Sequence, residues 1–157
     1  MMLKSISRAA IAVTAMLSLA AGAARAAGDD VFTVTTDVPF EDAAQAVHDA
    51  IINKGYKVDY HGYVGDMLKR TAEDVGAERP LYKDAEFFTF CSAVLSRKAM
   101  EADVGDIAYC PYVVFVYEDA STPGTVTIGH RKLPSGEVRD EVNKTLDEIV
   151  TTASEGF

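Results

Sequence analysis

The chain has 157 residues, is 48% hydrophobic and carries 15 basic against 24 acidic side chains, a net charge of −9 near neutral pH. That balance is the reverse of the basic patch with which proteins hold phosphate backbones, and it repels anionic lipid, so nucleic acid and membrane surfaces are set aside as partners. The length fits one domain whose core can stand without disulfides, which makes the two cysteines informative.

Residues 1–26 read as a cleaved signal peptide. Lys4 and Arg8 precede a nearly uncharged run from Ala9 to Ala24, and Ala24 and Ala26 supply the small residues of an A-x-A cleavage site. The apolar run falls short of the ~20 residues of a spanning helix. Losing Lys4, Arg8 and Arg25 with the leader leaves 12 of the 15 basic residues against all 24 acidic ones, so residues 27–157 bear about −12. The expectation is a single periplasmic domain with no membrane contact after cleavage.

"VFTVTT" (31–36) is β-branched and aromatic and predicts a strand. "DVPFEDAAQAVHDAIINKG" changes to helical spacing, with Phe40, Ala43, Ala44, Val47, Ala50 and Ile51 on one face, Pro39 at the first position and Gly55 as the stop. His48, at the edge of that face, reads as a partly exposed helix histidine. "YKVDYHGYV" returns to period two, which places Tyr56, Val58 and Tyr60 on one side and Lys57, Asp59 and His61 on the other. "GDMLKRTAEDVG" predicts a short helix capped by Asp66, packing Met67, Leu68, Thr71 and Val75 and closing at Gly76.

After a polar loop through Arg79 and Pro80, "AEFFTFC" predicts a strand with Phe88 and Phe90 facing one way and Phe87, Thr89 and Cys91 the other. A helix capped by Ser92 follows, with Leu95, Ala99 and Ala102 inward, then the extended run "VGDIAY". "PYVVFVYE" is apolar on both alternations and predicts a central strand. "DASTPG" is a turn into "TVTIGH", where Val126 and Ile128 point to the core. The last helix carries a stripe of Val138, Val142, Leu146 and Ile149. The order β-α-β-α-β-α-β-β-α implies one α+β domain with a largely antiparallel, twisted sheet packed against helices. The first βαβ unit is long enough for a parallel pair, whereas "DASTPG" is too short for a crossover.

The chain holds no G-x-S-x-G, G-x-G-x-x-G, Walker loop or H-E-x-x-H, so the usual parts of hydrolases, dinucleotide and nucleotide enzymes and zinc proteases are missing, and no cofactor is predicted. Asn143 and Thr145 form a glycosylation sequon in mid-helix, read as chance.

Cys91 and Cys110 carry three readings. In an exported chain the first is one intramolecular disulfide, which requires antiparallel flanking strands, because parallel ones would leave the sulfurs about 20 Å apart. The second is thiol redox or persulfide transfer, with Cys91 at a helix N-terminus as nucleophile and Cys110 as resolving partner. The third is copper or haem iron held by the cysteines with His61 and Met67 or Met100, for which no ligand spacing exists. Beyond the cysteines no residue is assigned to catalysis. Tyr60, His61, Tyr63, Tyr82, Tyr109 and Tyr112 are candidates for an aromatic ligand pocket near the cysteines, sheet packing being the alternative.

The stretch "VGDMLKRTAEDVG" followed by "DAEFFTFCSAVLSRKAMEADVGDIAYCPYVVFVYE" resembles the domain of unknown function 302 family, especially its exported members, and the likeness runs from Val31 to Thr152. Some relatives place the second cysteine after the proline; here Cys110 precedes Pro111. The resemblance implies a compact α+β domain, often a homodimer, with an antiparallel sheet packed against helices, and it implies no reaction. The link of some members with sulfur metabolism or redox systems keeps the sulfur-transfer reading open. The expectation is an exported binding or accessory module for a small ligand or protein partner, with the thiol reading as alternative.

Overall fold

In the computed structural model, which describes residues 30–156, the strands and helices follow the predicted order; the leader expected over residues 1–26 lies outside the described residues. Strand β1 (Val31–Thr36) leads to helix α1 (Phe40–Asn53), β2 (Lys57–Gly62) to α2 (Val64–Thr71), and β3 (Tyr82–Cys91) to α3 (Ala93–Ala102) and a 3-10 helix (Val104–Tyr109). The hairpin β4 (Tyr112–Asp119) and β5 (Val126–Arg131) then precedes α4 (Glu137–Ser154). The sheet order is β1-β5-β4-β3-β2, every neighbouring pair is antiparallel, and β4 is central as its two-sided apolar sequence implies. β1 and β2 therefore point the same way but stand at opposite edges, so the parallel pair that the first βαβ unit allows does not form. Among the described residues no helix is long and apolar enough to cross a membrane.

Helices α1 and α4 pack on each other and on one face of the sheet, and α3 packs against α4 and the 3-10 helix. Val47 and Ile51 of α1, Phe88 and Phe90 of β3, Val114 and Val116 of β4, and Leu146 and Ile149 of α4 meet there, all buried. Burying a side chain of that size is worth about 1.5–3 kcal/mol, which is why the helical stripes read from the sequence hold.

Local chemistry explains the helix ends. Ser92 caps α3, its Oγ accepting from Leu95 N at 3.2 Å. Ser96 and Ala99 turn inward, while Ala102, expected inside, is exposed. "VGDIAY" is a 3-10 helix rather than an extended return: Asp103 Oδ1 accepts from Gly105 N at 2.8 Å, and Arg139 Nε donates to both oxygens of buried Asp106 at 3.0 and 3.1 Å, tying the turn to α4. Helix α2 begins before Asp66, which sits inside its first turn, and Met67 and Val75, expected to pack, are exposed. What α2 buries is Gly65, where a Cβ would stand 2.7 Å from Ala85 N; only a hydrogen lets the helix lie against β3.

The largest departure from the predicted pattern is in β2. Val58 pairs with Phe90 and Tyr60 with Thr89, so Asp59 is the extra residue of a β-bulge. A bulge exchanges the faces beyond it. His61 therefore stands opposite Phe88 on the helix-covered side, separated from Lys57, and Tyr60 turns away from Val58 to the other face. That second face carries Tyr60, Phe87, Val113, Phe115 and Tyr117, all exposed or half-buried, with Phe87 directly opposite Phe115.

Candidate functional site

Because β3 and β4 are antiparallel, with Phe90 opposite Tyr112, the end of β3 and the start of β4 meet at one end of the sheet and bring Cys91 and Cys110 together. The expected disulfide is not formed: both are free thiols, Cys91 exposed and Cys110 half-buried. The two thiols are close enough for Cys110 to influence Cys91, yet they are not bonded. Its sulfur is 3.6 Å from Ser96 Oγ, and the Ser96 hydroxyl donates to Tyr112 Oη at 3.4 Å. The peptide between Cys110 and Pro111 is cis.

The Cys91 thiol is pushed up to about 12, first by partial burial of the sulfur, then by the hydrogen bond and charge of Cys110, and last by the carboxylate of Asp59. The Tyr112 hydroxyl is raised as well, again mainly by burial. The helix dipole at the start of α3 favours thiolate, as the sequence suggests, but burial of the sulfur, followed by Cys110 and Asp59, outweighs it. Cys91 is thus accessible yet protonated at neutral pH. That is the opposite of the electropositive setting of a fast thiol nucleophile.

The tyrosine candidates do not gather into one pocket. Tyr109, Pro111, Tyr112, Val113, Phe115 and Arg131, the first two flanking Cys110 in the chain, help to line a cavity of about 280 Å³, and the guanidinium of Arg139 lies 5.4 Å above the Tyr109 ring. Tyr60 tilts against Phe87 on the open face, and Tyr82 meets Tyr117 edge-on at 5.4 Å. A second, more apolar cavity of about 460 Å³ lies between α2 and the start of β3, lined by Gly65, Leu68, Val75, Leu81 and Tyr82.

His61 and Tyr63 form a separate cluster. His61 Nε2 is 2.6 Å from Glu86 Oε2, and its Nδ1 is 3.1 Å from Tyr63 Oη. Both ring nitrogens are engaged, so His61 is not held ready as a metal ligand beside the thiols, and among the described residues no group of three or more His, Cys, Asp or Glu is placed to hold a metal ion. His48 contacts Asp49 at 3.1 Å and is partly exposed, as its place on α1 implies.

Sequence reasoning did not single out Glu86, Ser96 or His130. His130 is wholly buried, with Nε2 2.7 Å from Asp147 Oδ1 and Nδ1 3.1 Å from the Arg131 carbonyl. Its sign in the sequence is its alternation with Val126 and Ile128, which makes it a core position. Asn143, the sequon residue, is spent on the backbone of Leu133, accepting from its N–H at 2.8 Å and donating to its carbonyl at 3.0 Å.

A family model described as "Domain of unknown function DUF302" matches residues 32–153. The crystal structure of a conserved DUF302 protein from Bacillus stearothermophilus superposes with a TM-score of 0.65 at 15% identity, covering 80% of this chain and 98% of that one, a likeness of fold. No curated protein matches. With the family model matched across nearly the whole described domain and a solved member of the family alike in fold, the chain belongs to the domain of unknown function 302 family.

Proposed function

We propose that the protein is an exported binding or accessory module whose Cys91–Cys110 pair works as a slow dithiol–disulfide switch. The observation that carries this reading is the pair itself: two unbonded thiols, near enough for one to raise the other, at one end of an antiparallel pair of strands, one exposed and one half-buried. A disulfide-bearing partner is the oxidant. Cys91 attacks one of its sulfurs, a mixed disulfide forms as one partner thiol leaves, and Cys110 then displaces the second partner thiol, so two thiols of this chain and one disulfide become one disulfide and two partner thiols. The raised Cys91 thiol makes the attack slow at neutral pH, which fits a state-setting switch rather than an exchange catalyst. Closing the loop between the cysteines stabilises the fold by about 3 kcal/mol in the chain-entropy picture. A cleaved leader over residues 1–26, as the sequence suggests, would deliver the chain to an oxidising compartment.

Oxidised glutathione tests the assignment. Mass spectrometry is expected to show an intramolecular disulfide in the wild type, and a trapped mixed disulfide on Cys91 in Cys110→Ser. A mixed disulfide that forms equally well on Cys110 in Cys91→Ser, or no reaction at either cysteine, contradicts it.

A specific observation favours a homodimer as the assembled form. On an acidic chain, the open sheet face around Phe87, Val113, Phe115 and Tyr117 is apolar at its centre, so two copies can meet there without repulsion. Strand spacing and rise give such a five-stranded face about 500 Å² per copy, near the lower bound for stable association. Sedimentation is expected to show a dimer that Phe115→Asp dissociates; a wild-type monomer at high concentration rules the dimer out.

A further inference from the structure

Away from the thiols, the Glu86, His61 and Tyr63 side chains stand in the order of an orienting acid, a base and a nucleophile. Their order is fixed by hydrogen-bond chemistry. An ionised carboxylate only accepts, so the His61 Nε2 at 2.6 Å from Glu86 carries the hydrogen, and in the neutral ring Nδ1 presents a lone pair to the Tyr63 hydroxyl 3.1 Å away. The ring is clamped between Phe88, with centroids 4.1 Å apart and nearly parallel, and the Tyr63 ring at 4.3 Å. Tyr63 stays 53% exposed, so the hydroxyl is open to reagents in solution. A nucleophile hydrogen-bonded to a base that a third group orients is the signature of an activated side chain.

We propose that Tyr63 is an activated phenol that accepts an acyl group from an activated acyl donor, with His61 as general base and Glu86 as the positioning residue. Tyr63 Oη attacks the acyl carbon while its proton passes to His61 Nδ1. The tetrahedral adduct then collapses, the leaving group takes that proton from Nδ1, and an aryl ester remains on Tyr63 with the leaving group released neutral. The Glu86 carboxylate offsets the charge of the imidazolium formed on the way. Other ionisable groups near His61 are His48, whose ring meets Phe88 edge-on at 6.3 Å, and Asp49 bound to His48, both on α1. The cluster is independent of the cysteines.

Tyr60 is a control within the same molecule. It lies three residues earlier, is 60% exposed and touches Phe87, with no histidine on its hydroxyl. Treating the purified protein with N-acetylimidazole and measuring acetylation of each tyrosine by peptide mass spectrometry tests the proposal. Tyr63 is expected to acetylate at least about tenfold faster than Tyr60, a modest share of what a placed general base supplies. His61→Gln brings Tyr63 down to the Tyr60 rate. Glu86→Gln slows Tyr63, and Glu86→Asp recovers part of the loss, while an unchanged Tyr60 rate in each variant reports an intact fold. Equal labelling of Tyr63 and Tyr60 in the wild type, or a Tyr63 rate indifferent to His61→Gln, overturns it.

Discussion

The two faces of the sheet are built from alternate residues of the same five strands and have opposite fates. One lies under α1 and α4 and is sealed: Phe88, Val114, Val116 and Ile128 are all buried. The other repeats large apolar side chains, Phe87, Val113, Phe115 and Tyr117, yet leaves them exposed or half-buried. Apolar character on both alternations is thus compatible with a sheet covered on one side only. The covered face holds the fold together, and the spare face leaves its aromatic surface open.

Truncation separates the two most strongly. Phe88→Ala is expected to cost about 3–5 kcal/mol and Phe115→Ala under about 1 kcal/mol, both read from urea midpoints. Equal losses, read at a concentration where the chain is monomeric, would mean that the second face is covered within one copy. Next comes the close contact across the sheet at Gly129, where a Cβ would stand 2.5 Å from the Phe32 carbonyl oxygen and 2.7 Å from the Phe115 ring, so Gly129→Ala is expected to cost about 1–3 kcal/mol. If Gly129→Ala is neutral, β5 is not held as tightly against β1 as the register requires.

On the covered side, Asp147→Ala removes the acceptor at Nε2 of buried His130, and a loss of about 1–3 kcal/mol is expected from the same unfolding curves. Retained stability would show that water reaches that ring. The smallest effect belongs to the cysteine end. A thiol pushed up to about 12 in the fold keeps its proton while the unfolded chain, near its ordinary value of 9.0, loses it. Folding stability is therefore unaffected below about pH 9 and falls as the pH rises from there towards 12. Cys91→Ser is expected to lose less stability than the wild type between pH 8 and pH 10.5. Parallel pH curves would mean that burial, Cys110 and Asp59 do not raise that thiol.

Where one face of an element meets the core, the sequence was legible. Phe40, Val47 and Ile51 on α1 and Val142, Leu146 and Ile149 on α4 fall where helical spacing puts them, and Ser92 caps α3 because its hydroxyl has an N–H to satisfy. The bulge at Asp59 was not legible, since one added residue leaves the apolar alternation looking unbroken while it moves His61 to the side of Phe88 and Glu86. The cluster that follows depends on that reversal. The buried pairing of His130 with Asp147 was hidden for another reason, because it joins β5 to α4 across the core and nothing local marks the partner. For the cysteines, the sequence left the relative direction of β3 and β4 open, and the antiparallel ladder resolves it by bringing the two sulfurs to the same end.

The reduction potential of the Cys91–Cys110 pair tests the switch most directly, read by alkylation and intact mass across a glutathione redox titration. A potential between about −180 and −230 mV, in the range of proteins that cycle between dithiol and disulfide, is the predicted result. A potential below about −300 mV, that of disulfides which stay closed, would contradict the switch and make the pair a permanent staple.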